Sequence, residues 1–283
     1  MITKLSNYLR TYRKHSGLSQ ADLAFLFNSK SHATISRHER HGLLPTVDLV
    51  FAYEAAFGVP ARELFAGVYE DVQRGVSRQA KRLRENLASE DASPEVADKK
   101  ARLEEIISRT ETSLQEARVH GDTRGMRVIA LDPTSLGFGF VVFEGPTKLL
   151  DWGQAHLRPC THEKCLEQIG KLFAQYDPHV VVIEDTRSTE SRRGARVKKL
   201  LNAVAHLAES SGAEVSQVSV SAVKKTFAPR STINKHEIAT LIARAFPELL
   251  SRLPPPRKLW TSEAERMGIF DAAAFALTYF RRR

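Results

Sequence analysis

In the C-terminal half of the chain, apolar residues occur in short runs that are typical of buried strands. Residues 128–131 form one run, and residues 180–183 form another, of four consecutive β-branched side chains. Runs of this length and composition predict strands that are buried on both faces of a sheet. The first run is followed by Asp132 and the second by Glu184. Because a buried carboxylate is costly unless a charged group meets it, both acids are candidates for ligand binding or catalysis.

A hairpin and a series of alternating helices and strands surround these two runs. Pro133 is expected to end the first strand and to leave Asp132 exposed at its edge. Gly137 and Gly139 allow close backbone packing in a second strand at 138–143. Further strands are predicted at 149–157 and 214–220, and helices at 165–176, 194–209, 233–246 and about 266–280, the last of which carries Asp271.

The N-terminal part of the chain has a different period, with apolar side chains at helical spacing between sharp turns. One helix is predicted at 20–27 and another at 32–40, joined by a short polar turn. Small hydroxyl side chains and arginine on the second of two such helices are what insertion into the major groove of DNA requires. A helical bundle used for protein contacts is the alternative interpretation.

The middle of the chain carries two further helical stripes of apolar residues among many charges. They are separated by a break at 88–92, which predicts an antiparallel helical hairpin. The hairpin either dimerises the chain or spaces its two ends. Residues 121–125 have the glycine and polar residues of a domain boundary. We therefore predict a DNA-binding domain at 1–67, a helical hairpin linker at 68–125 and an α/β domain at 126–283.

Composition and charge narrow the class of protein. The chain has 283 residues, 42% hydrophobic and 27% charged, which is typical of a soluble globular protein of about two domains. No apolar run approaches the ~18 residues of a membrane span, and the amphipathic N-terminus lacks the pattern of a signal peptide. The net charge of +9 favours a polyanionic partner. Cys160 and Cys165 form no disulfide framework, which fits a reducing cytoplasm. Together with the basic charge, this leads us to expect a cytoplasmic, nucleoid-associated protein.

Short segments of the N-terminal part resemble helix-turn-helix proteins of the Cro and phage-repressor type. They read LSQADLA at 18–24, TISRHER at 34–40, and GV at 58–59 with ELF at 63–65. The resemblance implies that arginine or amide groups read base edges while hydroxyl and amide groups contact phosphates. The side chains that it implies face DNA are Gln20, His32, Ala33, Ser36 and Arg37.

The segment LDPTSLGFG at 131–139 resembles the first hairpin of RuvC-type nucleases, which belong to the RNase H-like superfamily. The same resemblance is carried by VVIE at 181–184, by AVKK at 222–225 with KHEIA at 235–239, and by FDAAAFAL at 270–277. It implies an α/β RNase H-like domain with a mixed five-stranded sheet. The expected fold class is therefore multidomain, with an all-α helix-turn-helix head, a helical linker and this α/β domain.

The RuvC resemblance also implies a metal site for phosphodiester hydrolysis. Two Mg²⁺ (or Mn²⁺) ions about 4 Å apart neutralise the charge that develops on phosphate, attacking water and leaving oxygen, and they need several carboxylates. Asp132, Glu184 and Asp271 are the implied catalytic residues and metal ligands. The implied phosphate contacts near them are Lys224, Lys225 and Lys235.

The sequence departs from the RuvC pattern at the fourth metal ligand. That ligand lies three residues before the last aspartate, where this chain has Gly268. Glu263 or Glu265 would have to replace it, and Glu263 has more room to fold back into the site. Glu263 is therefore included among the expected metal ligands.

Two classes of function follow from these observations. The first is a homodimeric DNA-binding protein whose RuvC-like domain is a metal-dependent endonuclease for branched DNA, with RNA or RNA–DNA hybrids as a weaker option. The second is a transcriptional regulator, or a protein that binds DNA structures, whose RNase H-like domain is inactive, and Gly268 supports it. A zinc site formed by His156, Cys160, His162 and Cys165 is disfavoured, because structural zinc sites have tighter paired spacing.

Overall fold

We describe the protein from a computed structural model. The structure describes residues 5–29, 31–40, 42–87, 93–119, 125–188, 190–229, 231–256 and 264–283. The chain forms two compact units, one of Met1–Leu9 with Gln20–Gly125, and one of Arg10–Ser19 with Met126–Arg283. In the described ranges, no helix combines the length and the hydropathy needed to span a bilayer.

In the residues that the structure describes, the N-terminal part consists of helices joined by turns, as predicted. Helix α1 (Leu9–His15) is followed by α2 (Gln20–Leu26), α3 (His32–Glu39), α4 (Val47–Phe57) and α5 (Ala61–Leu64). Helix α3 begins where the Ser31 hydroxyl accepts a hydrogen bond from the Ala33 amide at 3.1 Å, an N-cap of the usual kind. The core of the first unit is made by apolar side chains at helical spacing, including the fully buried Leu23, Ile35, Tyr53 and Leu64.

Two long helices, α6 (Ala66–Asn86) and α7 (Pro94–Val119), form a hairpin in the first unit. Gln73 donates a hydrogen bond to Ser113 at 3.1 Å, and Arg84 pairs with Glu104 at 2.5 Å. Going from Gln73 to Arg84 along α6, the contacted residue on α7 moves back from Ser113 to Glu104, so the two helices are antiparallel. Their shared core contains Ala80, Leu87, Leu103 and Ile107.

The second unit contains the mixed five-stranded sheet that the sequence predicts. The strands are β1 (Arg127–Thr134), β2 (Gly137–Glu144), β3 (Lys148–His156), β4 (Val180–Glu184) and β5 (Glu214–Val218). Their order is β3-β2-β1-β4-β5, with β1, β2 and β3 antiparallel and β4 and β5 parallel to β1. The predicted fold class, an all-α N-terminal part combined with an α/β domain, is therefore confirmed.

Helices cover the sheet of the second unit. They are α8 (His162–Tyr176), α9 (Ala195–Ser210), α10 (Val220–Phe227), α11 (Lys235–Ala245), a 3-10 helix (Pro247–Arg252) and α12 (Met267–Arg282). Helix α12 packs against β1 and β2, and its small buried residues (Ala272, Ala273, Ala274 and Ala276) let the helix approach closely. Val128 and Ala130 of β1 share a core with α12 and with Val180 and Val182 of β4. The candidate acids Asp132 and Glu184 lie on β1 and β4 just beyond this core.

Two expectations about the first strand were wrong. Strand β1 does not end at Pro133 but continues to Thr134, and Asp132 is 3% exposed rather than exposed at an edge. The β1–β4 ladder ends at Ala130, whereas the β1–β2 ladder continues through Pro133. Pro133 therefore has only one neighbouring strand, so its missing amide donor does not interrupt a ladder on both sides.

Candidate active site

Strand register brings Asp132 and Glu184 to the same place. Ala130 of β1 is paired with Val182 of the parallel strand β4, and each acid lies two residues further along its strand. Because side chains alternate between the faces of a strand, both acids share the face of Ala130 and Val182, which α12 covers. Both carboxylates are buried, with 3% and 4% of the residue exposed.

Asp271 reaches this face from the first turns of α12. The helix comes close because two glycines meet where it crosses β2. A Cβ atom at Gly139 would lie 2.7 Å from the Ile269 amide nitrogen and closer still to the Gly268 carbonyl. A Cβ atom at Gly268 would lie 3.5 Å from Asp132 Oδ2. The position three residues before Asp271 is therefore directly beside Asp132, and it carries no side chain.

Two basic side chains, Arg193 and Lys235, pair with the three acids. The Arg193 guanidinium donates from Nε to Glu184 Oε2 at 2.6 Å and from Nη2 to Asp132 Oδ1. Lys235 Nζ lies 2.9 Å from Asp271 Oδ2. Each of the three candidate carboxylates thus has a basic partner.

The electrostatics of the site are dominated by burial and by repulsion among the acids. The pKa of Asp132 is raised to about 7, first by burial and then by the Asp271 carboxylate; Arg193 and Lys235 lower it, and Glu184 raises it further. Burial lowers the pKa of Arg193, but Asp132 and Glu184 raise it by more, so the net shift is upward. The charged form of Asp132 is therefore only partly compensated by the two cations.

A cavity of about 380 Å³ opens beside the acids. Asp132, Asp271, Arg193, Lys235 and Gly268 are among the residues that line it. The cavity is large enough for a phosphate group and several water molecules, and it exposes two of the three candidate acids to them.

The donor set fits a divalent cation. Carboxylate oxygens are the ligands that Mg²⁺ and Mn²⁺ prefer, and Asp132 remains under-compensated by Arg193 and Lys235. Within the described residues, however, no three His, Cys, Asp or Glu side chains are arranged around one point as metal ligands. Arg193 and Lys235 are bound to the carboxylates instead.

The two glutamates considered as replacements for the fourth ligand differ in outcome. Glu263 lies outside the described residues. Glu265 lines the same cavity as Asp132, but its side chain is 39% exposed and its Oε2 lies 3.3 Å from His156 Nδ1. Glu265 is therefore near the site, but its carboxylate pairs with His156 rather than facing Asp132.

The predicted DNA-facing side chains of the first unit differ in their surroundings. His32, Ala33 and Arg37 are exposed on α3, whereas Ser36 is half-buried and its hydroxyl accepts a hydrogen bond from Arg40. Gln20 is half-buried, and its amide donates to Glu39 at 2.8 Å. The exposed surface of α3 is therefore formed mainly by its first turn and by Arg37.

The three lysines predicted to contact phosphate lie in two different places in the second unit. Lys224 and Lys225 are exposed on α10, and Lys225 lines a different cavity together with Arg281 and Arg282. Lys235, by contrast, pairs with Asp271 at the candidate site.

The cysteine and histidine group does not form a zinc site in the described structure. Cys160 Sγ and Cys165 Sγ are 3.9 Å apart, but His162 Nε2 is hydrogen-bonded to the Arg196 carbonyl at 3.0 Å. Burial and the neighbouring Cys160 raise the pKa of Cys165 to about 11, which favours the neutral thiol over a metal-binding thiolate.

The fold and the site define a chain with an all-α N-terminal part and an α/β domain, in which three acids interact at one face of a mixed five-stranded sheet. Residues 9–64 match the helix-turn-helix family model HTH_3, which confirms the helix-turn-helix prediction. No curated protein sequence matches the chain.

Among solved structures, the chain is similar to RuvC of Thermus thermophilus. The RuvC structure aligns with 22% identity over 56% of this chain and 96% of that chain, at a TM-score of 0.41. The T. thermophilus RuvC complex with a Holliday junction substrate aligns with 21% identity over 56% of this chain and 95% of that chain, at a TM-score of 0.41.

Sequence reasoning missed the role of Arg193. The basic side chains expected near the acids were Lys224, Lys225 and Lys235, and Arg193 was not among them. In the structure Arg193 turns inward to Asp132 and Glu184, while its neighbour Arg192 is exposed. A buried acid at the end of each of two adjacent parallel strands could have indicated that a nearby arginine would turn in to pair with them.

Proposed function

We propose that residues 126–283 hydrolyse phosphodiester bonds in a divalent-metal-dependent reaction, and that the helix-turn-helix segment anchors the chain to duplex DNA. One observation supports the nuclease proposal above the others. Arg193 joins Asp132 to Glu184, and the Asp271 carboxylate raises the pKa of Asp132, so acids from three separate elements interact at one face of the sheet.

The residues of the candidate site have distinct proposed roles. Asp132, Glu184 and Asp271 form the proposed acidic site. Asp132 and Asp271 are the proposed catalytic residues, because they line the cavity that would hold the scissile phosphate, and Glu184 holds Arg193 beside them. A bound divalent cation would supply Lewis-acid stabilisation of the phosphate and a more acidic water. Lys235 lies beside Asp271 with an exposed side chain, so it can exchange the carboxylate for a phosphate oxygen.

The helix-turn-helix match supports DNA as the partner of the first unit. We propose that His32, Ala33 and Arg37 contact DNA from the exposed surface of α3, with Gln20 and Ser36 beside them. The net charge of +9 is consistent with a polyanionic partner. Binding of a duplex by Arg37→Ala tests this assignment, and an unchanged affinity would remove Arg37 from the interface.

We further propose branched DNA as the substrate, a homodimer as the active form and a nucleoid-associated location. The choice of branched DNA follows from the sequence resemblance to RuvC-type enzymes. A homodimer provides two equivalent sites, which symmetric nicking of two strands requires.

A cleavage assay with Asp132→Asn tests the nuclease proposal. The wild-type protein is incubated with Mg²⁺ and labelled four-way junction, flap, duplex and RNA–DNA hybrid substrates. We expect cleavage of the junction and a loss of rate by a factor of about 10³ or more in Asp132→Asn, because the variant removes a metal-binding charge at the site. DNA binding, measured separately by gel shift, should be retained.

Asp185→Asn is the matched control for this assay. Asp185 follows Glu184 in the chain, but its carboxylate accepts a hydrogen bond from the Arg187 amide at 3.0 Å. None of the hydrogen bonds and ion pairs described above joins Asp185 to Asp132, Glu184 or Asp271. We expect the control to cleave like the wild type. Equal cleavage by Asp132→Asn and the wild-type protein would disprove the proposed site.

The second candidate function is a DNA-binding regulator with an inactive RNase H-like domain. Gly268 favours it. A Cβ atom at this position would lie 3.5 Å from Asp132 Oδ2, but glycine has no side chain that could bind a metal there. A calorimetric titration with Mn²⁺ distinguishes the two functions. Binding that is lost in Asp132→Asn supports the nuclease, whereas the absence of carboxylate-dependent binding supports the regulator.

A further inference from the structure

The two oxygens of Glu184 are both engaged by protein groups. Ser191 donates its hydroxyl to Oε1 at 2.9 Å, and Arg193 donates Nε to Oε2 at 2.6 Å. The residue is 4% exposed, and it does not line the cavity beside Asp132 and Asp271. Glu184 is therefore poorly placed to bind a cation that enters from that cavity.

Arg193 is fixed in this position by more than one acid. Besides Glu184 and Asp132, it donates from Nη1 to the Pro133 carbonyl at 3.0 Å, and its side chain is 24% exposed. A planar guanidinium that donates to three acceptors is held more firmly than a single ammonium. Lys235, whose side chain is 53% exposed, reaches Asp271 from solvent and is more easily displaced.

Of the three candidate acids, Asp132 and Asp271 line the cavity; Glu265 also lines it, but its carboxylate lies 3.3 Å from His156 Nδ1. Arg193 uses Asp132 Oδ1, and Asp132 Oδ2 lies on the side of Gly268 and α12. Asp271 is three residues after Gly268, one turn further along α12. These two acids can therefore share one cation without displacing Arg193.

We propose that the site binds one divalent cation between Asp132 and Asp271, and that the Arg193 guanidinium takes the place of a second ion between Asp132 and Glu184. This inference rests on the proposed function and specifies how its site is built. Mg²⁺ commonly binds through one or two carboxylates together with water and substrate phosphate, so two acids suffice. The absence of a side chain at Gly268 is then consistent with a site that needs fewer anionic ligands.

The stoichiometry of Mn²⁺ binding tests the proposal. Isothermal titration calorimetry of the full chain with Mn²⁺ should give one equivalent that is lost in Asp271→Asn. Arg193→Gln removes the guanidinium charge and frees Glu184 Oε2, so a second equivalent should appear and the first should bind about tenfold more tightly or better. Arg192→Gln is the matched control, because it removes an exposed arginine one residue away, and it should retain one equivalent.

Two results would overturn the proposal. One is two site-specific equivalents in the wild-type protein, a measurement that does not depend on the folding of any variant. The other is a single equivalent in folded Arg193→Gln, with circular dichroism like that of the wild type. Failure of the proposed function gives a different pattern, in which Mn²⁺ binding is unaffected by both Asp132→Asn and Asp271→Asn.

Discussion

At the scale of single residues, two buried aspartates of the second unit have opposite electrostatic environments. Asp132 lies among other acids, and its pKa is raised to about 7. Asp151 on β3 is fully buried, yet it accepts hydrogen bonds from Arg10, Lys14 and the Tyr176 hydroxyl. Burial raises the pKa of Asp151, but Lys14 and Arg10 lower it by more, so the net shift is downward. The first environment suits a cation-binding site, and the second suits a structural ion pair.

Asp151→Asn should therefore destabilise the protein in a pH-dependent way. The pKa of Asp151 is lower in the folded state than in the unfolded chain, so its stabilising contribution is present above about pH 4 and is lost as the pH falls through the folded-state pKa. We expect a loss of about 2–4 kcal/mol in the free energy of unfolding at pH 7, because the change leaves Lys14 buried without its carboxylate. Urea unfolding followed by circular dichroism between pH 3 and pH 7 measures this difference.

The Asp151–Lys14 pair is buried, whereas the Glu167–Lys171 pair is exposed and provides the control. The pKa of Lys14 is also lowered, because burial of its ammonium outweighs the attraction to Asp151. Glu167→Gln, which breaks an exposed pair with Lys171, should leave the urea midpoint unchanged within error. A difference between wild type and Asp151→Asn that stays constant from pH 7 to pH 3 would contradict the assignment.

The sequence could predict the acids of the candidate site but not their partners. Asp132 and Glu184 follow apolar runs, and strand alternation is enough to bring such positions to one face. Arg193 lies in an irregular segment before α9, where no period fixes the direction of a side chain. Its inward turn depends on the three-dimensional proximity of two buried charges, which a linear pattern does not contain.

At the scale of elements, the contact between α12 and β2 depends on paired glycines. A Cβ atom at Gly139 would collide with the backbone of Gly268 and Ile269, which cannot move as a flexible side chain can. Gly139→Ala should therefore lower the free energy of unfolding by about 2–3 kcal/mol. It should also reduce Mn²⁺ binding, because it shifts the helix that carries Asp271.

Gly170→Ala is the control for this prediction. Gly170 lies within α8, and a Cβ atom there would meet nothing within 4 Å. Because alanine favours a helix interior over glycine, this variant should be about 0.5–1 kcal/mol more stable than the wild type. Thermal or urea unfolding of both variants decides the matter, and a neutral Gly139→Ala would show that α12 tolerates a wider separation from β2.

Element positions were largely predictable because the two periods of the chain are distinct. The helix predicted at 194–209 is observed at Ala195–Ser210, and the strand predicted at 149–157 is observed at Lys148–His156. The error at Pro133 has a physical cause. A proline ends a strand that has neighbours on both sides, and the sequence could not show that β1 loses its β4 neighbour after Ala130.

At the scale of the whole molecule, the proposed homodimer has a candidate surface on α6. Tyr69, Val72, Val76 and Leu83 are each between 42% and 56% exposed, and their spacing of three, four and seven residues puts them on one side of the helix. We propose that a second copy of the chain covers this apolar side of α6.

The combined variant Val72→Glu and Val76→Glu tests whether this apolar face joins two copies of the chain. Burial of two valines contributes about 2–4 kcal/mol to association, so replacing them with charges should raise the dissociation constant roughly 30-fold or more. In sedimentation equilibrium at micromolar concentration, the wild type should be dimeric and the variant monomeric. Arg78→Glu introduces a charge on the opposite side of the same helix and should remain dimeric. A monomeric wild type, or a double variant that still dimerises, would exclude α6 as the interface, and symmetric nicking would then need two copies joined by other residues or by the DNA itself.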